Sequence, residues 1–468
     1  GVSYVMGNGA MLSAPLFTSS LTAVFGGGVT PDRDADGDPI PLPVDFQLSY
    51  QRFVAVGQGD VGSALDALWD AYIKTGVDID LGTLSGHVLE ETTMDPLSGV
   101  DVMVYRNTGA ARDENGLPPD EDIYSQFGTD VGQDEVRDGS FGGRLPAGDY
   151  LLVAKTRDRV VSVPVPVTIT KAATTKTGLV VPRSAVLRVT VTDERGEALP
   201  CKISLRPRTG TAGNITALGD PFHAGGFSHI AFLADGQADL ELPPGAYDVF
   251  VTRGPEYSLW SSAESLGLID GVTVGAGGAT ELAAVLHREV DSTGFIAADL
   301  HVHSAPSHDS GVSLPMRTVT MVAEGVEFFA ATDHDVITEF RPVIEALGLD
   351  RWVQATAGLE TTTIELGHFL AFPLAADYTQ PSHNGSLDWV DMAPQEMVDG
   401  LRNLGLYSPE ETAIFVGHPR DGILGYFDQY GLDPMGGSAM DPLLVSSLLN
   451  SNNDMLYLCS TDDPAERC

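Results

Sequence analysis

Two stretches of this chain spell the same turn in the same order. Asp138-Gly139 precedes Leu145-Pro146-Ala147-Gly148-Asp149-Tyr150, and 97 residues later Asp235-Gly236 precedes Leu242-Pro243-Pro244-Gly245-Ala246-Tyr247 at the same internal offset. A repeat of that period means two copies of one module, and strands punctuated by Gly, Pro and Asp predict that each is a small antiparallel β-sandwich. Each copy opens on an alternating strand, Leu84 to Leu89 or Ala185 to Thr192, and passes a polar turn, Asp95 to Gly99 or Asp193 to Gly196, into a second strand. The expected division is an N-terminal β/helix segment at 1–81, sandwiches at 82–181 and 182–288, and a different unit at 289–468.

The Asp-Gly and Leu-Pro-x-Gly-x-Tyr pattern resembles the transthyretin-like, carboxypeptidase-regulatory-like modules of exported proteins. That resemblance implies a part that positions or decorates something else. Composition excludes several other classes. Hydrophobic residues at 43% against 19% charged favour packed cores over disorder. With 26 basic and 65 acidic residues the net charge is −39, a field that repels nucleic acid and anionic lipid. Three cysteines are too few for a disulfide-built scaffold; Cys459 and Cys468 are close enough to pair, and Cys201 reads as a buried thiol. The apolar stretch from Gly1 to Gly28 is broken by Gly, Asn, Ser and Pro and does not read as a membrane span. The chain opens at Gly1 with no charged leader, so the expectation is an exported protein whose signal is gone or was not included: periplasmic, cell-surface or extracellular.

Near the N-terminus, alternation over Asp45–Val56 predicts a strand. Val61, Leu65, Leu68 and Tyr72 predict a helix from Asp60 to Lys74. Asp32, Asp34, Asp36 and Gly37 follow the order of a calcium loop's first half, but position twelve is Pro43, so calcium and a solvated acidic turn both remain open. Asn214-Ile215-Thr216 and Asn384-Gly385-Ser386 fit glycosylation sequons.

After residue 289 the period changes. Short apolar runs alternate with helical ones: Phe295–Leu300, Leu314 to Glu324, Phe328–Thr332, Phe340 to Leu347, Trp352–Leu359, then Phe369–Phe372, Pro394 to Leu404 and Thr412–Val416. This predicts parallel βα units, whose strand C-termini gather ligands. His301 and His303, at i and i+2 on a strand, point to one face. His334, Glu360, His368 and His418 stand at or beside further strand ends, and Asp309 is a hard oxygen ligand on the first loop. Imidazoles and carboxylates without sulfur suit borderline divalent ions, Zn²⁺, Mn²⁺ or Fe²⁺. His308 adjoins Asp309 near the expected mouth. Asp333 and Asp335 are placed to fix the His334 tautomer or cap the next helix. Arg420 either neutralises an anionic substrate or forms a surface ion pair.

In order, Asp299-Leu300-His301-Val302-His303-Ser304, Thr332-Asp333-His334-Asp335, Gly358-Leu359-Glu360, Gly367-His368-Phe369 and Gly417-His418-Pro419-Arg420 resemble the polymerase-and-histidinol-phosphatase (PHP) family of metallohydrolases. With the upstream β-modules they are most similar to its exported, carbaryl-hydrolase-like branch. The resemblance implies a distorted (β/α)₇ barrel holding up to three divalent ions, and hydrolysis of an ester or phosphoester by metal-activated water. Carried over, His301 and His303 would hold a first ion, and Glu360 would bridge it to a second that His368 and His418 complete. Asp309 and His334 would hold a third, with Glu360 and Arg420 nearest the reaction. The family's closing Asp-x-His motif is missing, since no histidine follows His418, so the barrel is expected to be incomplete at its C-terminus; Asp441 to Asn450 is the clearest remaining helix pattern. A second polypeptide supplying the barrel end, or self-assembly, would answer that gap. The alternative is a non-catalytic extracellular scaffold, surface or filament component in which this unit binds structural metal or is degenerate.

Overall fold

The computed structural model describes residues 53–418 apart from 114–115, 133–136, 157, 212–226, 364–366 and 381–382, together with the short strands β1 (Tyr4–Gly7), β2 (Leu12–Ser13), β3 (Phe25–Gly26) and, near the C-terminus, Leu444–Ser446. The calcium-loop residues Asp32, Asp34 and Asp36, the candidate Arg420, and Cys459 and Cys468 lie outside the described residues.

Strand β4 (Phe53–Val56) pairs with β1 and leads into helix α1 (Val61–Lys74). Asp60 caps the helix by accepting from the Ser63 amide at 2.8 Å, leaving fewer orphan donors in the first turn. Its second carboxylate oxygen accepts from the Gly128 amide at 2.9 Å, and Arg144 pairs with Asp66 at 3.1 Å, so α1 lies against the first sandwich. Gly62 is required there: a Cβ would fall 2.1 Å from the Phe127 ring.

The first sandwich comprises β5 (Leu81–Glu90), β6 (Asp101–Arg106), β7 (Ile123–Gly128), β8 (Ser140–Pro146), β9 (Gly148–Lys155), β10 (Val165–Ile169) and β11 (Thr174–Val181). They form sheets β10-β9-β6-β7 and β11-β5-β8. The second comprises β12 (Ala185–Asp193), β13 (Cys201–Pro207), β14 (His229–Leu233), β15 (Gln237–Leu242), β16 (Gly245–Thr252), β17 (Trp260–Ser261), a short helix α2 (Ser262–Leu266), β18 (Val272–Val274) and β19 (Ala279–Leu286). Here β15-β12-β19 faces β14-β13-β16-β17, with β18 also on β16. Alternating inward residues fill separate interiors, Leu84, Val102, Phe127 and Leu152 in one and Leu187, Ile203, Val249 and Leu286 in the other.

The repeated residues do the same work twice. Gly139 and Gly236 both sit at positive φ, 68° and 70°, where a Cβ would meet the carbonyl oxygen of Val88 or Val191 at 2.5 or 2.4 Å. The Tyr150 hydroxyl donates to the Pro146 carbonyl at 3.0 Å, and that of Tyr247 to the Pro243 carbonyl at 2.6 Å.

The last unit holds β20 (Ala298–Val302), α3 (Leu314–Ala323), β21 (Phe328–Ala331), α4 (Arg341–Ala346), β22 (Gln354–Ala357), β23 (Leu359–Thr362), β24 (His368–Phe372), α5 (Pro394–Asn403), β25 (Ala413–Val416) and β26 (Leu444–Ser446). The expected (β/α)₇ barrel is corrected here. Among the described residues there is a three-stranded parallel sheet, β20-β21-β22, and a separate sheet, β23-β24-β25-β26, whose β23-β24 and β24-β25 pairs are antiparallel; neither closes on itself. The physical reason is at Gly358. It turns the run that begins as β22 out of the first sheet and into the second as β23, with 2.8 Å between an added Cβ and the carbonyl oxygens of both Ala331 and Ala371. The helix expected at Asp441 to Asn450 is likewise corrected: its middle is β26, a parallel partner of β25.

The second sandwich and this unit share a junction. Trp352 packs against the interiors of both. Arg253, 4% exposed, donates to the Pro200 carbonyl at 2.9 Å and to the Val322 carbonyl, near the end of α3, at 2.6 Å. Lys202 pairs with Glu324 at 2.5 Å.

Candidate metal centre

Strand β20 carries Leu300 outward and the His301 and His303 rings to a common side, with ring centroids 4.7 Å apart. Register with β21 is held by the Thr332 amide donating to the Val302 carbonyl and the Val302 amide donating to the Thr332 hydroxyl, both at 2.9 Å. That register delivers His334 beside them: its ring stacks on His303 at 4.6 Å. The turn at Gly358 brings Glu360 across from His334 through an isolated parallel bridge. The hairpin to β24 adds His368, and His418 follows two residues after the end of β25.

These side chains converge on one carboxylate. Glu360 is fully buried, and five imidazole nitrogens surround it: His301 Nε2 at 2.9 Å, His303 Nε2 at 3.1 Å and His334 Nδ1 at 3.4 Å from Oε2, with His368 Nδ1 at 2.8 Å and His418 Nε2 at 3.2 Å from Oε1. Asp309 lies 3.4 Å from His334 Nε2 and 3.7 Å from His303 Nδ1. Three groups bring ligand atoms within 4.8 Å of one another: His301, His303 and Glu360; His303, Asp309 and His334; His334, Glu360 and His368. All seven residues expected to hold metal are thus brought together, His418 through its contact with Glu360. His308 is exposed; its ring lies tilted beside that of His334 at 4.4 Å, outside these three groups.

The donor set suits cations better than protons. A neutral imidazole has one N–H and one lone pair, and a lone carboxylate in a sealed site cannot be satisfied by five of them at once. His301 Nδ1 is buried without a hydrogen-bond partner. Burial by itself pushes the Glu360 carboxyl up, but the facing imidazoles, His301 foremost, hold it well below the usual carboxylate range. Burial lowers His301 against the pull of Glu360, keeping a lone pair available for a ligand bond. At His303 burial also opposes charge, yet its bond to Glu360 and the carboxylates of Glu360 and Asp309 leave it raised. Asp309 is lowered, the His334 and Ser307 hydrogen bonds outweighing its burial.

Several positioning residues were not foreseen. The Ser307 hydroxyl, 3% exposed, donates to Asp309 at 2.6 Å, accepts from the His334 amide at 3.1 Å and lies 3.3 Å from His303 Nδ1. Arg317 holds the His303 carbonyl at 2.8 Å, and the Thr362 hydroxyl lies 2.6 Å from His334 Nδ1. The expected roles of Asp333 and Asp335 are corrected. Asp333 accepts from the Ser304 amide and hydroxyl, and Asp335 accepts from the Thr362 amide at 3.1 Å and Trp389 Nε1 at 2.9 Å; neither bonds the His334 ring, and the N-cap of α4 is Phe340, which makes no side-chain cap bond.

No protein-family model and no curated protein matches the chain. Among solved structures it is similar to the Bacillus anthracis TIE protein at 14% identity and TM-score 0.18, over 48% of this chain and 36% of that one. It is also similar to a streptococcal ancillary pilin at 16% identity and TM-score 0.24, over 46% of this chain and 64% of that one. A third is the shaft pilin SpaA from Lactobacillus rhamnosus GG, at 12% identity and TM-score 0.25, over 46% of this chain and 99% of that one. The chain spans about a third of the TIE protein's length. The expected PHP-family membership is therefore corrected, and with it the hydrolase and zinc descriptors: no family model matches, and among the described residues the sheets do not close. Among the described residues no helix is long and apolar enough to cross a membrane.

Proposed function

We propose that this chain is an exported surface component in which two β-sandwiches carry an α/β unit that binds a cluster of divalent transition-metal ions. The observation that carries the reading is the five imidazole nitrogens within 3.4 Å of the buried Glu360 carboxylate. His301, His303 and Glu360 would take one ion, His334, Glu360 and His368 a second, with His418 beside it, and His303, Asp309 and His334 an outer one. The excess of carboxylates and the sandwich modules support a place outside the cell. The test is metal content of the purified full chain by plasma mass spectrometry. More than one transition-metal ion per chain is expected, falling to near zero in Glu360→Gln with the far-ultraviolet dichroism unchanged. A Glu360→Gln chain with the wild-type content refutes the reading.

A further inference from the structure

At the opposite strand ends from the histidine cluster, the α/β unit opens into a groove of 1030 Å³ between its two sheets. One wall is the backbone of β22. Parallel strands are ordinarily covered on both faces, yet no residue from Gln354 to Ala357 is fully buried. Among the described residues the strand pairs only with β21. The Gln354 amide donates to the Glu327 carbonyl on that side at 2.9 Å, so alternation turns the N–H and C=O of Ala355 the other way, into the groove. Downstream, the Ala357 carbonyl accepts from the Leu374 amide at 2.9 Å, which ends the opening where Gly358 turns away.

The floor is apolar, with Phe340, Ile344, Phe372 and Leu374, and Tyr407 stands at the lip, 72% exposed. The rim is acidic. Glu339, Glu345, Asp350 and Glu411 line it against Arg341, which is itself tied to Glu345 at 2.8 Å. Glu339 and Glu411 accept from the hydroxyls of Tyr378 and Ser408, bonds that orient the carboxylates without neutralising them.

We propose that this groove receives an extended basic segment of another protein as an added strand on β22. Alternate aliphatic side chains would rest on the Phe372 and Leu374 floor, with lysines or arginines meeting the rim. Charge decides against the nearer occupants. A second copy brings a net −39, and the stretch after His418 carries eight carboxylates, Asp421 to Glu466, against Arg420 and Arg467.

The experiment is fluorescence anisotropy of three labelled heptapeptides on the full chain: alternating Lys-Val, the same peptide N-methylated at alternate residues, and alternating Glu-Val. The basic peptide is expected to bind in a salt-sensitive way, with the other two about tenfold weaker or more. Asp350→Asn with Glu411→Gln should weaken it several-fold and flatten the salt dependence. Ala355→Pro, which removes the groove-facing N–H and spares the bonds to β21, should abolish it. Should that variant misfold, the N-methylated peptide tests the same bond on the wild-type chain. Absence of binding, equal binding of the acidic or the N-methylated peptide, dimerisation competed by the basic peptide, or binding gained only on removal of residues 419–468 would each overturn the proposal.

Discussion

Replacing Arg253 with alanine should uncouple the second sandwich from the α/β unit. Its guanidinium donates to the carbonyls of Pro200 and Val322, one on each side of the junction, and lies 4.5 Å from the Trp352 ring centroid. Each buried carbonyl left unpaired costs about 1–3 kcal/mol, and loss of the desolvated cation over an indole costs about 1–2 kcal/mol. Against this, the variant no longer keeps a charge out of water, a burden visible in the way burial lowers the Arg253 pKa. The net loss should be about 3 kcal/mol. Arg253→Met, which keeps most of the stem and its packing, should lose about 2 kcal/mol, the part owed to hydrogen bonds and charge. Urea unfolding followed by tryptophan fluorescence, with Trp352→Phe to isolate the junction signal, measures this. The midpoint of the junction transition should fall, and it should separate from that of the sandwich core. A change below about 0.5 kcal/mol in Arg253→Ala, within the range of an ordinary surface substitution, would show that the two units merely touch.

Gly139→Ala and Gly236→Ala should each destabilise its own sandwich by more than about 1 kcal/mol, because both combine positive φ with a carbonyl in the way; unfolding midpoints near wild type would refute the strain. Cys201 is fully buried and its thiol is pushed up to about 12 by that burial, so thiol reagents should label it only with unfolding; fast labelling of the native chain excludes this. Glu241, at the groove between the sandwiches, is raised by its hydrogen bond to Asp158, by burial and by the Asp158 charge. A group raised on folding stabilises fully below its ordinary range, and that contribution drains away as pH climbs through the raised value. Melting temperature should therefore fall across that window in wild type and less so in Glu241→Gln; superimposable profiles would rule the linkage out.

What was legible in the chain follows physical locality. The 97-residue repeat was readable because its turn chemistry is contained in a few neighbours: a glycine that must take positive φ and a tyrosine that bonds four residues back. The clustering of His301, His303 and His334 was readable because neighbouring strand ends in one sheet share a rim. Ser307, Arg317 and Thr362 escaped because serine, arginine and threonine are common, and only tertiary adjacency shows what each holds. Asp333 and Asp335 were misread for the converse reason: proximity in sequence to His334 suggested a bond, whereas the backbone turn, with Asp335 at φ 54°, carries their carboxylates to Ser304 and Trp389. Closure of a barrel was beyond local pattern altogether, since one glycine reassigns half a strand to another sheet.

That glycine has a mechanical consequence. Because β22 and β23 are one covalent thread passing through Gly358, the sheet bearing His301 and His303 and the sheet bearing His368 and His418 are sewn together a few ångströms from where their side chains meet. An added Cβ at Gly358 would press on the Ala331 carbonyl in one sheet and the Ala371 carbonyl in the other, so a side chain there bears on both layers where they join.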